Sequence, residues 1–71
     1  MNITQEQFQF IINSDVEQLV CRLQEDTGMS LSEAFGRVYN SEIYKKLLNE
    51  NTGFYLQSSD YIYDYLYEEL R

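Results

Sequence analysis

The C-terminal end of the chain reads Ser58-Ser59-Asp60-Tyr61-Ile62-Tyr63-Asp64-Tyr65-Leu66-Tyr67-Glu68-Glu69-Leu70-Arg71. At helical spacing, Ile62, Leu66 and Leu70 form a central apolar stripe. Tyrosines flank this stripe on both sides, Tyr61 and Tyr65 on one and Tyr63 and Tyr67 on the other. The apolar and aromatic arc is about 240° wide, whereas a surface helix typically needs a little over 100°. We therefore predict a final helix that is covered from more than one side, in part by another molecule, with these four tyrosines as interaction residues.

A long first helix is predicted from the capping box formed by Thr4 and Gln7. Apolar residues then recur at helical spacing to about Asp26, and Gly28 suits the left-handed position that ends a helix. Residues 13–15 are poor interior helix formers, and a second capping box begins at Ser14. The sequence therefore leaves open whether this helix is continuous or kinked near residues 13–15.

Two short helices are predicted in the middle of the chain. Ser30 begins a further capping box, and a third helix runs from about Ser41 to Asn49. After a turn at residues 51–53, the apolar segment 54–56 is predicted to be an extended link that lies on the core. Tyrosines 61–67 also alternate with period two, but no second long strand exists to pair with them.

The predicted fold is all-α, a small helical bundle of about four helices with a short extended link before the last helix. Residues 1–71 form a single helical domain, since no composition break or repeat divides the sequence. The residues at the centre of each apolar stripe are expected to be largely buried: Leu19, Leu23, Phe35, Val38, Leu47, Ile62 and Leu66.

The composition excludes several classes of function. The net charge of −7 argues against phosphate contacts, so binding to nucleic acid is disfavoured. The apolar runs are too short to span a membrane. Cys21 is the only cysteine and there is no histidine, so neither an internal disulfide nor a zinc site is expected. With a free cysteine and no secretion signal, the cytoplasm is the expected location.

No catalytic site is predicted, and no cofactor or metal. Cys21 is expected in the middle of the first helix, away from any helix N-terminus that would activate its thiol. Asp60, Asp64 and Glu68 lie one turn apart on a helix, but such a row is far more often a solvated face than a cation site. The three glycines are isolated, so no phosphate-binding loop is present.

Phe10 and Cys21 lie opposite the main apolar stripe of the first helix, about 20° apart on the helical wheel. One interpretation is that they are scattered surface groups. The other is a second buried face that contacts a dimer mate or the end of the chain itself. Phe10 and Cys21 are therefore further candidate interaction residues.

Two segments of the chain resemble short uncharacterised bacterial proteins of a domain-of-unknown-function family. The first runs from Met29-Ser30-Leu31-Ser32-Glu33-Ala34-Phe35 through Tyr39-Asn40-Ser41 to Tyr44-Lys45-Lys46-Leu47-Leu48, and the second is Thr52-Gly53-Phe54-Tyr55-Leu56-Gln57-Ser58-Ser59-Asp60-Tyr61-Ile62. Some members are encoded near toxin-like ADP-ribosyltransferase domains. The resemblance covers roughly residues 17 to 70. It implies an all-helical fold and a role beside a toxin–antitoxin or accessory-gene system, and it implies no activity.

The expected function is a non-catalytic protein–protein interaction module whose partner is another protein or a second copy of the chain, as a homodimer. An antitoxin-like neutraliser or accessory protein that binds a basic partner is the main alternative, because the chain is acidic. A nucleic-acid-associated regulator is a further alternative that the charge disfavours. No small-molecule substrate is expected.

Overall fold

The computed structural model describes residues 3–71, which form four α-helices joined by short connections. The helices are α1, Gln5–Thr27; α2, Leu31–Tyr39; α3, Glu42–Leu48; and α4, Ser59–Leu70. Two short 3-10 turns, Glu50–Thr52 and Phe54–Leu56, connect α3 to α4. Residues 3–71 contain no strand. The prediction of an all-α bundle of about four helices is therefore confirmed.

Helix α1 is continuous, which settles the question that the sequence left open. The Thr4 hydroxyl accepts from the Gln7 N–H at 3.0 Å, and the Gln7 side chain accepts from the Thr4 N–H at 2.9 Å. At the expected weak point, Asn13 accepts a hydrogen bond from the Gln9 side chain at 2.9 Å. Because this bond runs between side chains along the helix, Asn13 does not compete for the helical backbone. Gly28 ends α1 with φ +75°.

The core is a single cluster to which all four helices contribute. It contains Ile12, Val16, Leu19, Val20, Leu23, Ala34, Val38, Ile43, Leu47, Ile62, Tyr63 and Leu66. Six of the seven side chains expected to be buried are among them. Phe35 is only partly buried and stacks on Tyr39, with 5.8 Å between the ring centroids.

The N-terminus of α3 is capped by a side chain from the far end of the chain. The Glu69 carboxylate on α4 accepts from the Glu42 N–H at 2.8 Å and from the Ile43 N–H at 3.0 Å. The Ser41 hydroxyl accepts from the Tyr44 N–H at 3.0 Å. Because these N–H groups have no partner within the helix, the three bonds satisfy its first turn and fix α3 to α4.

The link before α4 packs on the core as expected, but the prediction that it is extended is wrong. Residues 50–56 are wound into the two 3-10 turns, with Gly53 between them at φ +72°. An extended segment needs a neighbouring strand for its backbone groups. Here the N–H of Leu56 instead donates to the Gly53 carbonyl at 3.0 Å, and that of Gln57 to Phe54 at 3.0 Å.

Helix α4 lies along the C-terminal half of α1, and the two helices run in the same general direction. Ser59 donates to Gln18 at 2.6 Å, Arg22 forms an ion pair with Asp60, and Tyr63 contacts Asp26. These contacts advance together along both sequences. Residues 60–71 therefore have one side against α1 and α3, and the other side faces outward.

Candidate interaction surface

The outward side of α4 carries three of the four tyrosines predicted to bind a partner. Tyr61, Tyr65 and Tyr67 are 43%, 47% and 42% exposed, respectively. The opposite side of the helix buries Ile62 and Leu66 completely. We call the outward side, with its three tyrosines and the carboxylates of Asp60, Asp64 and Glu68, the outer face of α4.

Tyr63 is not part of this face, and its prediction as an interaction residue is wrong. It is only 3% exposed, and its hydroxyl donates to the Asp26 carboxylate at 2.7 Å. The Arg22 guanidinium lies over its ring, 4.4 Å from the centroid. Burial, followed by the hydrogen bond to Asp26 and the charge of that carboxylate, raises the pKa of Tyr63 to about 12.

The helical wheel contained a signal that would have separated Tyr63 from the other tyrosines. Tyr63 is three residues before Leu66 and lies about 60° from it, whereas Tyr65 and Tyr67 are each about 100° away. The position of Tyr63 is therefore nearest to the centre of the buried stripe.

Tyr61 and Tyr65 form an aromatic cluster with Phe54 of the link. The ring of Phe54 lies 5.6 Å from that of Tyr65 and 6.2 Å from that of Tyr61, and the two tyrosine rings are 5.2 Å apart. Their hydroxyl oxygens are 3.5 Å apart, and this contact raises the pKa of Tyr61. The cluster orders the two rings while leaving part of each exposed.

A row of carboxylates runs between the exposed tyrosines. Asp60 pairs with Arg22 of α1, and Glu68 pairs with Arg71 at 3.3 Å. Both pairs are exposed and contribute little to stability. Asp64, in the middle of the row, forms no ion pair within residues 3–71. The outer face of α4 is thus aromatic at its edges and negatively charged along its centre.

Phe10 and Cys21 lie on α1 in two separate surface grooves. Phe10 is 73% exposed and borders a shallow groove with Ile3 and Ile11. Cys21 is exposed in a cleft beside Ser59 in the first turn of α4. At 1.5 Å per residue the two positions are about 16 Å apart along the helix. The expectation that Cys21 is far from any helix N-terminus is wrong, because the fold brings the start of α4 to it.

Asp15 is a buried carboxylate that was not singled out in the sequence. One of its oxygens, Oδ2, has no hydrogen-bond partner within the described chain. Burial raises the pKa of Asp15 from 3.8 to about 6. The spacing did contain a signal, because Asp15 is three residues after Ile12 and four before Leu19, on the face that α1 turns to the core.

Within residues 3–71, no group of three or more acidic, histidine or cysteine side chains is arranged to hold a metal ion. Over the same residues, none of the helices combines the length and the apolar character needed to cross a bilayer. Comparison with protein-family models, curated protein sequences and solved structures gave no match to this chain. The resemblance to bacterial proteins of unknown function therefore stays a prediction.

Proposed function

We propose that this protein is a non-catalytic protein–protein interaction module of the cytoplasm that binds its partner through the outer face of α4. One observation carries the proposal: three ordered tyrosines stay exposed on a helix whose other side already supplies the core. Tyrosine is enriched at protein interfaces because its ring buries a large area while its hydroxyl keeps a polar partner. Nucleic acid is a poor candidate, since the face is lined by carboxylates that would repel phosphates.

A paired-variant binding experiment tests this proposal. Tagged protein is used to capture partners from cell extract, and each captured protein is then purified and titrated against the wild type and two variants. The test variant combines Tyr65→Ala and Tyr67→Ala. The control is Tyr39→Ala on α2, where the side chain is similarly exposed and also contacts two aromatic rings. We expect the test variant to lose at least about tenfold in affinity, while the control retains it.

A captured partner that binds the Tyr65→Ala and Tyr67→Ala variant as well as the wild type would contradict the proposal. So would failure of the wild type to bind any protein, including itself. Circular dichroism and thermal melting of both variants establish that they remain folded, so that a loss of binding is assigned to the surface.

A second candidate function is self-association through α1, and one observation favours it. Phe10 is the most exposed of the large hydrophobic side chains on the described surface, and it borders a groove lined by other apolar groups. An exposed aromatic side chain beside an apolar groove is typical of a contact between copies. We expect a weak homodimer at micromolar or higher concentration, and Phe10→Ser should return it to monomer in sedimentation experiments. Unchanged sedimentation of the Phe10→Ser variant would exclude this face.

A further inference from the structure

We propose that the outer face of α4 binds a positively charged helical segment of a partner protein. The proposal rests on the function proposed above and adds the chemistry of the partner. It is carried by the order of groups on this face, by their charge and by their spacing.

The spacing of the carboxylates matches the spacing of side chains on a second helix. Asp60, Asp64 and Glu68 are four residues apart, which is about 6 Å along α4 for each step. A partner helix with lysine or arginine at every fourth position repeats at the same interval. Laid alongside α4, it would bring one cation to each carboxylate. Residues in an extended strand repeat at about 6.6–6.8 Å for every second residue and drift out of register along the row.

The tyrosines on either side of the row suit the stems of the same basic side chains. Lysine and arginine pack their methylene groups on apolar surface while the charged end reaches a polar group. Tyr65 and Tyr67 present rings of this kind on opposite sides of Asp64. The protein already contains such a contact, because Arg22 of α1 lies over the ring of Tyr63 and pairs with Asp60.

Charge separates this partner from a second copy of the chain on the same face. Two copies meeting through α4 would place their carboxylate rows against each other, in molecules that each carry a net charge of −7. Like charges brought together at an interface oppose association. A basic segment instead finds Asp64 without an ion pair and Glu68 in an exposed pair that is readily exchanged.

Two synthetic peptides of identical composition test the proposal by isothermal titration calorimetry. The first is a helical peptide with lysine at every fourth position and leucine beside each lysine. The second has the same residues with the lysines grouped at one end. We expect the wild-type protein to bind the spaced peptide at least about tenfold more tightly than the grouped one, and to lose affinity as salt is raised.

Charge-matched variants distinguish the face from the general acidity of the protein. The test variant is Asp64→Asn with Glu68→Gln, and the control is Glu25→Gln with Glu33→Gln on α1 and α2. Both remove two negative charges at exposed positions. We expect the test variant to weaken binding of the spaced peptide about tenfold and the control to weaken it less than about threefold.

Equal weakening by both variants would overturn the proposal, since net charge alone would then explain the attraction. Equal binding of the two peptides would also overturn it. If a captured partner depends on Tyr65 and Tyr67 but binds independently of salt and of Asp64 and Glu68, the interaction module stands and the basic partner falls. If the test variant alters sedimentation of the protein by itself and leaves peptide binding unchanged, the occupant is a second copy and the proposal is again overturned.

Discussion

At the scale of single residues, the buried carboxyl group of Asp15 makes the stability of this protein depend on pH. Its pKa is about 6 in the folded protein, against 3.8 for the free side chain. The folded state therefore holds the proton more tightly than the unfolded state, and ionisation of Asp15 destabilises the fold. The cost is absent below about pH 4, grows as the pH rises to 6, and then stays at about 3 kcal/mol.

Asp15→Asn removes this charge while keeping the size of the side chain. We expect the free energy of unfolding at pH 7 to rise by about 1–2 kcal/mol, because a buried amide without a partner still costs some of the gain. The fall in stability between pH 4 and 6 should become shallower. Urea unfolding at several pH values measures both effects. The control is Asp64→Asn, an exposed carboxylate that should change stability by less than about 0.5 kcal/mol.

At the scale of the helices, α3 depends on a cap supplied by α4. Glu69→Gln replaces a charged acceptor that bonds the N–H groups of Glu42 and Ile43, and it places an amide N–H₂ next to one of them. We expect a loss of about 1–2 kcal/mol in the free energy of unfolding. Glu68→Gln, one residue earlier and directed to solvent, is the matched control. Equal melting temperatures for the two variants would show that the cap does not hold α3.

Docking of α4 is tested by truncating its central leucine. Leu66 is completely buried, so Leu66→Ala should cost about 2–5 kcal/mol, which in a chain of 71 residues is enough to prevent folding. Leu56→Ala, in the link, makes the same chemical change at an exposed position and should cost less than about 1 kcal/mol. Thermal melts of both variants decide the point, and an unchanged melt for Leu66→Ala would mean that α4 is not docked as described.

At the scale of the whole molecule, the net charge of −7 gives the two modes of association opposite responses to salt. Self-association brings like charges together, so screening should strengthen it. Binding of a basic segment joins opposite charges, so screening should weaken it. Sedimentation of the chain alone and titration of the spaced peptide, both over a salt series, measure the two responses. The same direction of change in both experiments would contradict this account of the surface.

The sequence by itself determined the helices and most of the core. Thr4, Ser30 and Ser41 were identified as helix starts, and each accepts a hydrogen bond from a backbone N–H three residues later. Gly28 was identified as the end of α1. These features could be read in advance because a cap and its helix are only a few residues apart, so the interaction is local. The exposed tyrosines of α4 were also found this way, as one edge of a periodic pattern.

The tertiary structure alone decided which of those tyrosines a partner can reach and which polar groups the core would enclose. Tyr63 was lost from the surface to Asp26 and Arg22, and Glu69 was drawn to the start of α3. The link became two 3-10 turns because no strand lay beside it. Each outcome depends on groups some 25 to 40 residues apart in the chain, or on a missing neighbour, and helical periodicity carries no information about such distant pairs.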